Sequence, residues 1–342
     1  MKPLNYIKSV ILTFKNKHPQ TTAMKIKLTL LGILVSMGVV SAQTATTKPV
    51  GYHTETAKGN AFTLMGVNVG NAIAAAGEFD ADAATDNDAD FTALLDEGVS
   101  YTVQNITTGA AAAVTAFDAT SLTTDLAVSS GDSYEVRADV TIGSLFGAAN
   151  EAGLGAGNAT TADVVWIPTA NGFAQVFYDD GKGFPPRPAG WRAIGAGAAD
   201  QAGTSVPFTA GIFIQRRQAE DLDIVFVGHV RTEATSFSIG SGFNFLNRVL
   251  PVGVALDDSG IENFIKKGNT GSGDLIWSPD GNGGYNQYYY TDGGGFPPQT
   301  KGWKAVGQGN ADRGSATLAS GYAIQASEAG SVSVAIPNGL DL

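Results

Sequence analysis

The feature that most constrains this chain is a long internal match. From Asp163 it reads DVVWIPTANGFAQVFYDDGKGFPPRPAGWRAIGAGAAD, and from Asp274 it reads DLIWSPDGNGGYNQYYYTDGGGFPPQTKGWKAVGQGNAD. Trp166 aligns with Trp277, Phe184-Pro185-Pro186 with Phe296-Pro297-Pro298, and Gly190-Trp191 with Gly302-Trp303 once a single inserted residue is allowed. Further on, Gly211-Ile212-Phe213-Ile214-Gln215 aligns with Gly321-Tyr322-Ala323-Ile324-Gln325. A match this dense predicts a duplication, with two units that share an architecture and pack as pseudo-symmetric partners. Upstream, Gly51-Tyr52-His53-Thr54-Glu55 resembles the stretch from Gly228 to Glu233, and Ile142-Gly143-Ser144-Leu145 resembles Val252-Gly253-Val254-Ala255. On that alignment the first unit comprises residues 43–68 and 140–227, the second 228–342, and residues 69–139 form an inserted acidic β subdomain.

Short runs rich in β-branched and aromatic residues recur throughout. Asp163 to Ile167, Ala174 to Tyr178, Gly211 to Arg216 and Asp223 to Val227 are each bounded by Gly, Pro, Asn or Asp, which is the pattern of strands between tight turns. The insertion has its own strand runs at Val99–Val103, Ala113–Phe117 and Ser133–Arg137. With 44 Gly and 13 Pro as punctuation, the expected fold is all-β: duplicated β-sandwich or barrel-like units with short Gly/Pro-rich turns. One short helix is expected after Ser259-Gly260-Ile261-Glu262, a capping box, with Lys266, Lys267 and Gly268 suited to its end.

The N-terminal stretch differs from the rest. Residues 1–42 carry Lys2, Lys8, Lys15, Lys17, Lys25 and Lys27 and no acid; an apolar run from Leu28 to Val40 then leads to Ser41-Ala42. A basic start, a short apolar stretch and small residues before the cut define a secretory signal peptide, with cleavage expected after Ala42 and Met24 a candidate start. The run is shorter than the roughly 20 residues a spanning helix needs, so no transmembrane segment is expected after cleavage. The protein is therefore expected to be exported, to a periplasmic, cell-surface or secreted location.

Removing those six lysines from the 21 basic residues leaves 15 against 32 acids, a balance of −17. A domain so acidic repels nucleic acid and anionic membrane surfaces, so no nucleic-acid partner is expected. There is no cysteine, which excludes disulfides, thiolate zinc sites and cysteine nucleophiles. Nor is there a G-x-S-x-G elbow or a phosphate-binding glycine loop: Gly293-Gly294-Gly295 runs into Phe296-Pro297-Pro298 without a lysine. The expectation is a protein that is not an enzyme. A carboxylate pair of the glycosidase type leaves no spacing to detect, which keeps a glycoside hydrolase as a further alternative.

Asn60-Ala61-Phe62, Thr141-Ile142-Gly143-Ser144-Leu145-Phe146-Gly147, the aromatic strand before Gly190-Trp191 and Gly211-Ile212-Phe213-Ile214-Gln215-Arg216-Arg217 make the chain resemble a known group. It is similar to an uncharacterised paralogous family of exported β proteins of Verrucomicrobium-type bacteria, across most of its length and including Thr85 to Phe91. The resemblance implies export and a β fold, and brings no activity, cofactor or site.

Two sets of residues are candidates for binding. Four tryptophans, Trp166, Trp191, Trp277 and Trp303, lie in the matched segments near Tyr178 and Tyr288-Tyr289-Tyr290. Trp191, Trp303 and Tyr289 are candidates for stacking on sugar rings, against the alternative that each tryptophan fills the core of its own unit. Between Glu78 and Glu97 lie eight acids and no base; Asp86, Asp88 and Asp90 alternate as in a calcium loop, with Glu97 at the twelfth position. Phe91 stands where an EF-hand requires glycine, so a looser calcium site of carboxylate and carbonyl oxygens is the reading, with calcium the one candidate cofactor. His53 and His229 fall near the expected starts of the two units but out of step by one residue, which argues against a joint metal site. The functional expectation is an exported structural or interaction protein of the cell envelope or exterior. The alternative is a carbohydrate- or calcium-binding β module. Candidate partners are envelope components, glycans or further copies of the chain.

Overall fold

A computed structural model describes residues 49–182, 187–250, 252–294 and 298–334. The expected signal peptide, and Phe184-Pro185-Pro186 with Phe296-Pro297, lie outside the described residues. The protein is all-β, 44% strand and 6% helix, arranged as several antiparallel sheets with no closed barrel.

The chain opens with β1 (Val50–Ala57) and β2 (Phe62–Gly66). The insertion follows as β3 (Ile73–Glu78), α1 (Phe91–Leu94), β4 (Tyr101–Asn105), β5 (Ala111–Phe117), β6 (Leu122–Thr124) and β7 (Ser133–Ala138). Next come β8 (Val140–Thr141), α2 (Ile142–Phe146), β9 (Val164–Thr169), β10 (Gly172–Asp179), β11 (Gly190–Ala193), β12 (Ser205–Val206), β13 (Gly211–Gln215) and β14 (Leu222–His229). The remainder runs through β15 (Thr235–Ile239), β16 (Gly242–Asn247), β17 (Val254–Ala255), α3 (Leu256–Ser259), β18 (Leu275–Pro279) and β19 (Tyr285–Thr291). It ends with β20 (Gly302–Ala305), β21 (Thr317–Leu318), β22 (Gly321–Ala326) and β23 (Gly330–Val334).

Two five-stranded sheets carry the architecture, ordered β2-β13-β9-β10-β11 and β16-β22-β18-β19-β20. Each has a two-stranded companion, β1-β14 for the first and β15-β23 for the second, and a smaller pair, β8-β12 and β17-β21. The inner face of the first sheet packs Val165, Ile167, Val176, Trp191, Ile212 and Ile214 against Ile224 and Phe226 of β14 and Ile142 and Phe146 of α2. The second core sets Ile276, Tyr288, Trp303, Tyr322 and Ile324 against Ile239, Val332 and Leu256. Strand alternation is what sends these residues to one face and their neighbours to the other.

Two expectations are corrected here. Residues 228–229 do not start a second unit: β14 runs to His229 and pairs antiparallel with β1, Val50 opposite His229 and His53 opposite Phe226. The place of β1 in the second half is taken by β15, which precedes β16 as β1 precedes β2. The helix expected after Ser259 is also displaced. α3 ends at Ser259, Gly260 adopts φ +70°, and only a short 3-10 turn at Ile261–Asn263 follows. The Ser259 hydroxyl donates back to Leu256 O at 2.7 Å, closing the preceding turn.

The sheets meet where backbones come close. A Cβ on Gly66 would lie 2.2 Å from Ser320 O, and one on Gly321 would lie 2.4 Å from the Met65 carbonyl carbon, so neither position admits a side chain. Gly66 N donates to Ser320 Oγ, and Asn247 Nδ2 donates to Val67 O at 2.6 Å and Phe208 O at 2.7 Å. The insertion forms a sheet ordered β3-β7-β4-β5-β6 with its own core around Phe79, Phe91, Val103 and Tyr134. It is tied to the segment before β15 through the buried Gln104, which donates to Ala234 O and accepts from Arg231.

Candidate functional site

The tryptophans divide by face. Trp191 and Trp303 are wholly buried and Tyr289 nearly so. Trp191 Nε1 donates to Gly147 O at 2.8 Å, and the Tyr289 hydroxyl accepts from Gln299 Nε2 at 2.8 Å. The three stacking candidates are therefore packed inside the protein and present no ring to a sugar; this corrects that expectation. The pleat explains it, since β11 and β20 are edge strands whose Trp turns inward to cap the core.

Trp166 and Trp277 point the other way and are half-buried. Their surroundings match: each indole Nε1 donates to a glutamine Oε1 at 3.2 Å, Gln215 for Trp166 and Gln325 for Trp277. Each also faces a glutamine across the ladder, Gln175 and Gln287 respectively. Phe62 packs on Trp166 at 5.6 Å and Phe243 packs on Trp277 at 5.5 Å, both edge-on.

These clusters join into one run. Trp166 touches Phe173, Phe173 touches Phe213 and Phe245, and Phe213 lies 4.9 Å from Phe245. Phe245 stacks parallel to Phe243 at 6.1 Å, Phe243 meets Trp277, and Trp277 meets Tyr285 at 6.4 Å. Eight rings thus cross from one sheet to the other through the β13–β16 contact. Phe62 is 47% exposed and Phe243 51%, with Phe173 and Tyr285 at 36% each, so the run faces solvent. The polar side chains interleaved with it are neutral amides: Gln175, Gln215, Gln287 and Gln325. Burial against the neighbouring rings pushes the Tyr285 hydroxyl above its usual range, so it stays protonated.

Solvent-facing aromatic surface of this extent, rimmed by amides, is suited to binding. Sequence reading singled out Trp166 and Trp277 only as part of the set of four. Phe62, Phe173, Phe243, Phe245 and Tyr285 were missed. The i, i+2 spacing of Phe243 and Phe245 in β16 was the available signal that two rings share a strand face.

The acidic candidates do not converge. Asp86 is buried; its Oδ2 accepts from the Tyr134 hydroxyl at 2.7 Å and its Oδ1 from the backbone N–H groups of Asp88 and Ala89. Asp90 accepts from the Thr92 hydroxyl at 2.6 Å, and Asp88 is exposed. Among the described residues no three metal-ligating side chains gather. Alternating Asp here shapes a turn and anchors Tyr134, whose phenol is pushed far up by burial and the Asp86 carboxylate. His53 sits against Phe226 with Nε2 on Gly66 O at 3.1 Å, while His229 pairs through its backbone with Gly70; the two do not share a site.

Among the described residues no helix is long and apolar enough to cross a membrane. Compared with known protein families, curated proteins and solved structures, the chain matches none.

Proposed function

We propose that this is an exported, non-catalytic interaction protein of the cell envelope or exterior that grips polysaccharide through the aromatic face shared by its two sheets. The single observation that carries the reading is the run of eight rings from Phe62 to Tyr285, solvent-facing and interleaved with uncharged amides. Sugar rings present C–H faces that pack on aromatic side chains, and hydroxyls that pair with amide groups. A duplication of the sheet unit supplies the second half of the surface, which suits a polymer longer than one unit can span. The basic, then apolar, N-terminal stretch and the acidic remainder support action outside the cytoplasm, away from nucleic acid.

The test is co-sedimentation of the purified protein with insoluble polysaccharides: peptidoglycan sacculi, chitin, cellulose and xylan. The expected result is binding to at least one, reduced about fivefold or more by the double substitution Phe62→Ala with Phe243→Ala. Those two rings are half exposed, so the circular dichroism and unfolding midpoint stay near wild type. Absence of binding across the panel, or undiminished binding by the variant, overturns the proposal.

A structural role through self-association is a second reading, favoured by a different surface. The outer face of the β1–β14 ribbon exposes Val50, Tyr52, Val225 and Val227, whereas the β15–β23 ribbon carries Ser236, Ser238, Ser331 and Ser333 on that side. Sedimentation velocity with Tyr52→Ser and Val227→Ser distinguishes it: a concentration-dependent dimer abolished by the substitutions supports it, and a monomer throughout removes it.

A further inference from the structure

The ends of the aromatic run, Phe62 and Tyr285, line a single cleft of about 310 Å³ between the β1–β2 segment and the β18–β19 turn. Its lining is mixed. Phe62, Leu64, Pro279 and Tyr285 supply apolar surface. Hydroxyls and a carboxylate line it too: Thr54, Thr63, Ser320 and Glu55. Gly281, with φ +76°, and Gly283, with φ +90°, form the turn beside it, and a Cβ at either would meet nothing within 4 Å, so the mouth is open.

A second groove of about 370 Å³ lies where the two halves meet again, lined by Pro168 and Phe173 of the first and Phe243 and Phe245 of the second. Register makes the equivalence explicit. Phe62 faces Gln215 and Phe243 faces Gln325; Phe173 faces Pro168 and Tyr285 faces Pro279 across their hairpins. The two hollows share an aromatic–proline wall. The second is lined by Thr169 and by no carboxylate.

We propose that the cleft bounded by Phe62, Tyr285 and Glu55 is a saccharide subsite for a neutral, hexose-type unit, and that its counterpart at Phe173 and Phe243 is a weaker accessory subsite on the same polymer. The inference rests on the polysaccharide reading above and deepens it. The lining combines apolar surface with hydroxyls, so the occupant is a small ring with C–H faces and polar edges. Its charge is fixed by the same residues. Lys58 also lines the cleft, but its ammonium is committed to Asp221 at 2.8 Å, while Glu55 lies 3.8 Å from His53 Nε2 and is offset by the buried Arg248 guanidinium, so the cleft carries no large net charge. With no net charge to recruit an ionic ligand, the cleft suits a neutral hydroxyl that donates to the Glu55 carboxylate in a charge-assisted hydrogen bond. The accessory groove lacks that acceptor and is the weaker of the two for one sugar unit.

The test titrates the full mature protein with soluble hexasaccharides (cello-, xylo- and chito-oligosaccharides), read by calorimetry and by the fluorescence of Trp277, which lies beside Tyr285. The expected result is saturable binding of at least one neutral hexasaccharide. Tyr285→Ala weakens it about tenfold, while Tyr285→Phe, which keeps the ring, stays within about twofold. Glu55→Gln weakens it about threefold to tenfold through loss of the charged acceptor. Phe173→Ala weakens it less than Tyr285→Ala does. Leu94→Ser, on the insertion, serves as the unaffected control. Wild-type affinity in Tyr285→Ala, or a larger loss in Phe173→Ala, overturns the cleft assignment while leaving the polysaccharide reading standing. So does polysaccharide co-sedimentation without hexasaccharide binding. Failure of both ligands overturns both.

Discussion

Asp163 and Asp274 stand just before β9 and β18 and do the same work with different partners. Each accepts two backbone N–H groups: Gly155 and Arg217 for Asp163, Lys266 and Ser327 for Asp274. In the first half the carboxylate also meets the buried guanidinium of Arg216 at 2.8 Å. In the second its further partner is the neutral Ser327 hydroxyl at 2.9 Å. The tryptophans show a similar divergence. Trp191 donates to Gly147 O, while Trp303 Nε1 is buried with no acceptor among the described residues. The two halves thus keep one backbone solution and differ in how its buried polar groups are satisfied. A strand pattern is retained by core shape; a polar partner is free to change where another group can reach the same atom.

The sharpest way to break that comparison is to neutralise the two aspartates. Asp163→Asn leaves Arg216 buried without its counter-charge and is expected to cost about 3–5 kcal/mol. Asp274→Asn exchanges hydrogen bonds among neutral groups and is expected to cost about 1–2 kcal/mol. Urea unfolding of each variant measures both; equal losses would show that the ion pair contributes nothing beyond the shared backbone bonds. A smaller effect separates the tryptophans. Trp191→Phe and Trp303→Phe both lose packing, but the first also strands the Gly147 carbonyl, whereas the second removes a donor that is itself unpaired. The loss at Trp191 is expected to exceed that at Trp303 by about 1 kcal/mol. A reversed order would mean that Trp303 Nε1 has a partner in the folded protein.

Much of this scaffold was legible because it is written locally. Short runs such as Asp163 to Ile167, bounded by turn residues, identify strands, and the matched Trp166 and Trp277 do stand beside matching glutamines. The binding face was not legible, because it depends on a junction far apart in sequence. Phe173 meets Phe245 where the two sheets approach closely at Gly66, Gly211 and Gly321, and no spacing encodes that contact. Which tryptophans turn inward was equally hidden. Trp166 stands between Val165 and Ile167, and Trp191 beside Arg192, which is itself buried, so alternation alone does not say which face is the core. Asp86 is ambiguous for a different reason: Asp at alternate positions is the same whether it coordinates an ion or caps backbone N–H groups, and here its oxygens accept from Asp88, Ala89 and Tyr134. The stretch from Gly228 to Glu233 begins at the end of β14 and runs on toward β15, so its likeness to residues 51–55 does not mark an equivalent strand.

The smallest expected effect concerns a buried group that only the first half carries. His53 on β1 packs against Phe226, donates from Nε2 to Gly66 O, and has Nδ1 buried with no partner among the described residues. Burial holds its imidazole below the usual histidine value; the Gly66 carbonyl and Glu55 oppose that shift, and nearby Arg248 adds to it. Because the unfolded chain then takes up a proton more readily than the folded one, the contribution of His53 to stability is full above about pH 6.5 and is lost progressively as pH falls below that value. One proton sets a ceiling of about 1.4 kcal/mol per pH unit on the slope. The second half has no histidine in β15, so the acid sensitivity belongs to the first core. His53→Gln, which keeps a donor for Gly66 and cannot titrate, is expected to flatten the decline in unfolding free energy between pH 7 and pH 5. A slope unchanged by that substitution would assign the acid response to the carboxylates and end the distinction between the two cores on this point.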